Sequence, residues 1–441
     1  MKTISGWGGN PKSVTNLVTA DGPDQIAEAV ASAPADRGMI ARGLGRSYGD
    51  AAQRAGGTTL VVRTGREPTW VDQSKGLLRA SASASIGELI RFSDPDGYFI
   101  PVTPGTRHVT VGGAIAADIH GKDHHRAGSF GMHIESLRLL LAGGETVEVD
   151  RESDRDLFNA TVGGMGLTGI ILEADIRMIP VPGNRMLVDT FRTADLDVTM
   201  TALSASESTH RYSVAWVDLA TQGLSMGRGV VTNANHTTSE GSAPLGETEV
   251  SVPSMWCFGI VNRPTVAAFN ELWFRKAPRQ SRRSAQSYDR FFYPLDMVGD
   301  WNRFYGRRGF LQYQFVLPFE AEARLPEISE LLATSQFPVS FAVLKRFGEE
   351  NDGFLSFPTP GWTLAVDIPI SSSPHDLENL LRSLDEMIVD NGGRIYLAKD
   401  SRLRGDLLSA MYPELGSFLE VRERVDPNRR FQSDLSVRLG L

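Results

Sequence analysis

The sequence predicts an α+β chain of two units. A glycine-rich amino-terminal unit holds an extended ligand, and a second unit is built on long alternating strands. Three observations carry this. Two glycine-rich stretches stand well apart, Arg42-Gly43-Leu44-Gly45-Arg46-Ser47-Tyr48-Gly49-Asp50 and Pro104-Gly105-Thr106 through Val111-Gly112-Gly113. Neither stands in a Rossmann context: Ala51 to Gly57 leads from the first straight into another strand, where a dinucleotide fingerprint needs a long helix. Near Pro180-Val181-Pro182-Gly183 the glycine motifs stop and long alternating strands begin. At 441 residues the chain suits about two to three domains. The expected boundaries are 1–184, 185–393 and a closing segment 394–441 that packs back on the first unit.

In order along the chain, Val14 to Thr19 reads as a strand. Asp21-Gly22-Pro23-Asp24 opens a helix with Ile26, Ala29, Val30 and Ala33 on one face. Met39-Ile40-Ala41 is a short strand entering the first glycine loop, and Thr58 to Val62 is the next. Leu77 to Ser81 is a strand, Ser85 caps a short helix, and Val109 to Ala117 is a helix of small residues that lets backbone approach a flat ligand. Leu137 to Leu141 and Thr146 to Val149 form a hairpin around Ala142-Gly143-Gly144-Glu145. A third small-residue loop, Gly163 to Gly169, enters the strand Ile170 to Ile176. In the second unit, Tyr212 to Val217, Phe310 to Leu317 and Gly361 to Ile370 are strands. Ser373-Pro374 starts a helix to Asp390 with Leu377, Leu380, Leu381, Leu384 and Ile388 on one stripe.

Composition narrows the function classes. The net charge of −8 argues against a nucleic-acid partner. One cysteine, Cys257, excludes an internal disulfide and any multi-cysteine metal site. No run approaches the ~18 apolar residues of a membrane span, and Met1 to Asn10 lacks the apolar segment of a secretory signal. The expectation is a soluble or peripherally membrane-associated protein, with the cytoplasmic or envelope side left open. His108, His120, His124, His125 and His133 cluster in sequence, but Gly121 disfavours the helix that would align ligands, so no metal is expected. A nucleotide-kinase reading of the first loop lacks Gly-Lys-Ser/Thr.

The first glycine stretch resembles the Arg-Gly-x-Gly-x-Ser-Tyr-Gly-Asp signature of the vanillyl-alcohol-oxidase (PCMH-type) family of FAD flavoproteins. Thr103-Pro104-Gly105-Thr106, Val111-Gly112-Gly113 and Asp118-Ile119-His120-Gly121-Lys122 are similar to its second flavin segment. Four further segments narrow the likeness: His120 to His125, Gly309 to Phe315, Tyr396 to Arg402 and Val425-Asp426-Pro427. They resemble the branch that oxidises the 2′-hydroxyl of decaprenylphosphoryl ribose, the first half of an epimerisation serving cell-wall arabinan. The likeness runs nearly end to end. The resemblance implies a two-lobed FAD-binding unit and an α+β substrate-binding unit with an antiparallel sheet, FAD, a prenylphosphoryl sugar as substrate, a separate NADH-dependent reductase as partner, and contact with a membrane. Two departures stand in Gly361 to Asp367: Ala365 replaces a cysteine of mycobacterial members, which removes thiol chemistry, and Thr363 replaces a common Asn.

Residue by residue, the resemblance implies a flavin cradle of Arg42, Gly43, Leu44, Gly45, Arg46, Ser47, Tyr48 and Gly49. It adds Gly105, Thr106, Thr110, Gly112, Gly113, Ala117, Ile119 and Gly121, then Gly169, Ile170 and Tyr396. Arg46 stands in a loop where covalent members often carry His, so the FAD is expected to be non-covalent. Oxidising a secondary alcohol requires removal of the hydroxyl proton and leaves negative charge on the flavin, which a fixed cation stabilises. Lys399, read as lying on a strand before a polar loop, matches the family's active-site lysine; without the motif it reads as a surface cation. His120 is the second catalytic candidate. Lys122, Trp216, Gln314, Lys345, Thr363 and Ala365 are the expected substrate contacts, with Trp216 equally readable as core. Trp273 to Arg283 and Trp301 to Arg308 are basic and aromatic, either a lid near lipid headgroups or solvated loops. Two other functions fit the text: a free alditol or aldonolactone oxidase, and a non-catalytic flavin-binding assembly protein.

Overall fold

The computed structural model describes residues 1–34, 36–238, 246, 250–253, 259–370 and 373–441; Cys257 lies outside them. The first lobe is a four-stranded sheet in the order Lys2–Ser5, Lys12–Asp21, Thr58–Arg63, Met39–Arg42. The last three run parallel, and the first pairs antiparallel with the second. Helix Pro23–Ser32, with Pro at its first turn, buries Ile26 and Val30. The second lobe is an antiparallel five-stranded sheet, ordered Thr69–Asp72, Leu77–Ser81, Ile170–Arg177, Ile134–Leu140, Thr146–Asp150. One small apolar core, with Leu60 and Met39 from the first sheet and Leu140 and Ile170 from the second, fastens the lobes together.

Local chemistry starts the helices that border the cleft. Ser85 accepts from the Glu88 amide while the Glu88 carboxylate accepts from the Ser85 amide, a reciprocal cap for Ile86–Ser93. Thr110 caps Val111–Ala116 by accepting from the Gly113 amide at 3.2 Å. Such caps are each worth about 1 kcal/mol.

Above these lobes stands one antiparallel sheet of eight strands: Arg282–Ser287, Arg185–Thr193, Gly229–Thr237, Tyr212–Val217, Phe341–Phe347, Gly361–Pro369, Phe310–Pro318, Arg394–Ile395. In Gly361–Pro369 the apolar Trp362, Leu364, Val366 and Ile368 are fully buried on one face. Thr363, Ala365 and Asp367 therefore share the other, since successive side chains alternate. Helix Pro374–Asp390 buries Leu377, Leu381, Leu384 and Ile388 and packs beside Phe310–Pro318 and Arg394–Ile395. The end of the chain crosses back to the first lobe: the Met39 amide donates to Arg430 O at 2.8 Å, and Arg438 clamps Asp50 with two bonds. Among the described residues no helix is long and apolar enough to cross a membrane.

Candidate active site

The first glycine loop leaves its amides open. Trp7 and Gly8 donate to the carbonyls of Ser47 and Tyr48, which fixes the loop from outside. Among the described residues, the amides of Gly43, Leu44, Gly45, Arg46 and Ser47 have no acceptor. A run of free N–H groups is what a pyrophosphate needs. Gly45 has φ 65°, a left-handed value that favours glycine. Arg42 donates to Ser5 O and Ala52 O, so it braces the loop, while Arg46 lies 4.0 Å over the Trp7 ring and keeps a buried Nε without a partner. Leu44 is exposed.

The second segment meets the first. A Cβ on Gly43 would collide with Thr110 Oγ1, so the two loops touch at a spot with no room for a side chain. Gly105 faces open space, and the Thr106 hydroxyl accepts from the His108 amide. Gly112 is pressed against Ala82, where an added Cβ would sit 3.1 Å away, whereas Gly113 is exposed. The third loop docks on the same short helix through Gly163 N to Ile115 O and Met165 N to Ala116 O. Gly169 lies against Leu140, and Ile170 is buried in the core between the lobes. Ile119 is buried, and Gly121 packs against Thr103 and Asp123.

Lys399 lies between these segments, though not on a strand. Tyr396 N carries the pairing of strand Arg394–Ile395 one step further by donating to Gln314 O, and Lys399 N then closes a turn onto Tyr396 O. Tyr48 N donates to Ala398 O, and the Tyr396 hydroxyl donates to Ala117 O at 2.8 Å, so this turn is bonded to both glycine segments. The Lys399 amine lies 3.9 Å from the Tyr48 ring centroid. Burial pulls its pKa down to about 7, with the nearby Asp367 carboxylate opposing that shift.

The sheet face opposite is set by register. Trp216, Val343, Ala365 and Gln314 form one cross-strand row; Lys345 and Thr363 pair in the next; Phe341, Asp367 and Gln312 form a third. His120 reaches up to this face. Its Nε2 lies 2.9 Å from Gln314 Nε2 and its Nδ1 3.1 Å from Lys345 Nζ, with Phe347, Phe357 and Tyr396 around the ring. Burial first, then the Lys345 charge, holds His120 well below the ordinary histidine range, so it is neutral at pH 7. Gln314 also donates to Thr363 Oγ1, which donates to Phe315 O. Burial lowers Lys345 to about 8, and lowers Lys122 to about 7 where its amine donates to Phe291 O and sits 4.3 Å over that ring.

The other histidines are individually occupied: His124 Nδ1 accepts from Gly348 N, His125 faces His210 O, and His133 faces Ala127 O. Among the described residues no group of three potential ligands gathers for a metal. Sequence reasoning missed Asp367 and Asp123. Both are buried carboxyls pushed up to about 7 by desolvation, Asp367 bonded by Gln312 and Asp123 near Arg211 and Lys345. The available signal was a lone acid among apolar residues in Leu364-Ala365-Val366-Asp367-Ile368. Trp273 to Arg283 is no loop either: it spans the end of helix Arg263–Lys276 and the start of strand Arg282–Ser287.

Free amides on the first glycine loop, the tight contact of Gly43 with the Thr110 side chain of the second segment, and a lysine-bearing turn bonded to both segments fit a flavin-dependent oxidoreductase of the two-lobed type. Residues 15–150 match the FAD binding domain family and 256–439 the D-arabinono-1,4-lactone oxidase family. The chain is 39% identical to decaprenylphosphoryl-β-D-ribose oxidase of Mycolicibacterium smegmatis, covering 100% of this chain and 98% of that protein. It is 23% identical to L-gulono-1,4-lactone dehydrogenase of Mycobacterium tuberculosis over 99% of its own length and 98% of the relative's. The Delta(24)-sterol reductase of Rattus norvegicus shares 31% over 110 residues, which is 25% of this chain and 21% of that one. The chain belongs to the PCMH-type FAD oxidase family that includes decaprenylphosphoryl-β-D-ribose oxidase.

Proposed function

We propose that this enzyme uses non-covalent FAD to oxidise the 2′-hydroxyl of decaprenylphosphoryl-β-D-ribose to the 2′-keto compound, the first step of epimerisation toward the arabinose lipid. The observation that carries the reading is the Lys399 turn, bonded at Ala398 to the first glycine loop and through Tyr396 to the second. The open amides of residues 43–47 and the ends of the second segment would hold the dinucleotide, within units spanning 1–184, 185–393 and 394–441. When bound, FAD supplies the hydride acceptor.

The residues supply the rest. With a pKa near 7, Lys399 is partly neutral at neutral pH and takes the hydroxyl proton, leaving an ammonium where hydride transfer builds negative charge. Asp367 steadies that ammonium. His120 lies within reach of Gln314 and Lys345 and positions both; being neutral, it accepts at only one ring nitrogen and carries its proton on the other. Lys122 and Lys345 offer positive charge to the sugar phosphate, Trp216 walls the sugar, and Thr363 and Ala365 shape the floor. The keto product suits a separate NADH-dependent reductase.

The lactone-oxidase match favours one rival, a free-sugar oxidase. Anaerobic bleaching of the flavin by a panel of sugars separates them. Bleaching by prenylphosphoryl ribose and not by free polyols or aldonolactones is the expected result; the reverse preference overturns the proposal.

A further inference from the structure

Helix Arg263–Lys276 turns an apolar face outward. Its start is self-sufficient: Asn262 accepts from Thr265 N, Thr265 returns a bond to the Asn262 amide, and Pro264 sits in the first turn. Only Val266 and Asn270 are buried. Asn270 Nδ2 donates to Asp218 Oδ1 at 2.7 Å and Glu271 pairs with Arg228, which fixes the rotation of the helix. At 3.6 residues per turn, Phe269, Leu272, Trp273 and Lys276 then fall together along one flank of the helix, centred about a quarter turn round from the buried Val266 and Asn270. Phe269 is 55%, Leu272 71% and Trp273 42% exposed, and the two aromatic rings stack at 6.2 Å. A helix holding three large apolar residues in water pays for them unless something covers the face.

The surroundings say what covers it. In a protein of net charge −8, exposed Arg275 and Lys276 end the same helix and exposed Arg279 and Arg282 follow it. Arg275 pairs with Glu271, whereas Arg279 and Arg282 have no carboxylate partner among the described residues. Beside the helix opens a cleft of about 500 Å³ lined by Arg192, Glu271, Phe274, Arg275 and Arg279, three cations to one acid. Aromatic and aliphatic side chains at the centre, cations at the margin and a cationic cleft match the layering of an anionic bilayer surface.

We propose that this face docks the protein on an anionic bilayer, with Phe269, Leu272 and Trp273 at the acyl boundary and the cleft receiving headgroup phosphate. The location is consistent with use. Asp218 and Arg228, which anchor the helix, lie just beyond the strand ends Val217 and Gly229, at the sheet end carrying the Phe341–Asp367–Gln312 row. A lipid-linked substrate would therefore enter beside the docked face. The docking itself does not rest on the substrate assignment.

Sedimentation with vesicles of phosphatidylcholine, alone or mixed equally with phosphatidylglycerol, tests this on the full chain. The holoprotein should pellet with the mixed vesicles, be released by salt and ignore phosphatidylcholine alone. The variant Phe269→Ser/Leu272→Ser/Trp273→Ser should lose about a hundredfold in partitioning, with circular dichroism and bleaching by a short-chain soluble prenylphosphoryl sugar unchanged. Lys276→Glu/Arg279→Glu/Arg282→Glu should lose binding to the anionic vesicles alone. Equal partitioning of wild type and the triple serine variant overturns the proposal. So does an absence of wild-type binding, including the case where the serine variant merely turns a dimer into a monomer. Vesicle binding without bleaching by any prenylphosphoryl sugar would sink the substrate assignment and leave this proposal standing.

Discussion

Replacing Lys399 by Met should make the apoprotein more stable and the enzyme inactive. The amine is held where its pKa falls from 10.5 to about 7, chiefly by burial. Below about pH 7 the amine is charged in both folded and unfolded chains, and the folded state carries the full desolvation cost. Between about pH 7 and pH 10.5 the unfolded chain holds a proton that the folded chain has lost, so stability rises with pH. Above that window the cost is gone. The full shift, which already includes the opposing Asp367 carboxylate, corresponds to about 5 kcal/mol; the partial exposure of Lys399 reduces the usable figure to about 2 kcal/mol. For a chain this long that is a rise of about 2 °C in Tm. Thermal unfolding of flavin-free wild type and Lys399→Met at about pH 6 and about pH 10 reads it, with the gain expected only at the lower pH. Stopped-flow flavin reduction should show a wild-type rate that climbs through about pH 7 as the amine loses its proton, and no reduction in the variant. A gain that is equal at both pH values, or an active variant, refutes the argument.

Three other perturbations probe the frame around that amine. Gly49→Ala would drive a methyl into the Asp400 carbonyl, so FAD affinity and Tm should both fall, by about 2 kcal/mol in stability; flavin titration and calorimetry check it. Arg438→Met strands Asp50 and Asp400, both buried, and should cost about 3–5 kcal/mol in urea unfolding. Gln314→Leu removes the bridge between His120 and Thr363 and should slow flavin reduction about tenfold or more with FAD binding intact.

What could be read in advance follows from how local each feature is. The stripe Leu377, Leu381, Leu384 and Ile388 repeats every three or four residues, so Pro374–Asp390 is specified by its own text. Ser85 and Thr110 mark helix starts because a cap is a contact between near neighbours. Lys399 was identifiable by motif, but its element was not: after Tyr396 the chain turns away as the Lys399 and Asp400 amides fold back onto the Tyr396 carbonyl, and Tyr48, distant in the chain, donates to the Ala398 carbonyl. The basic stretch from Trp273 was opaque for a different reason. Its helix begins at the Asn262–Thr265 cap, upstream of the charges that draw the eye. Asp367 and Asp123 needed the third dimension, since only cross-strand register puts Asp367 beside Gln312, and only the docking of the two units brings Asp123 near Arg211.

Those two acids explain why the buried lysines are tolerable. Desolvation pushes Asp367 and Asp123 up to about 7 and pulls Lys399 and Lys122 down to about 7 and Lys345 to about 8. Lys399 is set against Asp367, and Lys345 against Asp123, so each of these two amines has an acid of similar proton affinity within electrostatic reach. Acid and base strengths that converge near neutrality let a proton move at small cost, whereas a strongly hydrated surface lysine would hold its proton across the same range. A proton taken at Lys399 can then be shared with Asp367 without creating an isolated buried charge. Separating the pair breaks this balance: Asp367→Asn should lower the Lys399 pKa further, leave the amine neutral after hydride transfer calls for a cation, and shift the rise in flavin reduction to lower pH while reducing its plateau. An unchanged pH profile in that variant would mean Asp367 only fills space.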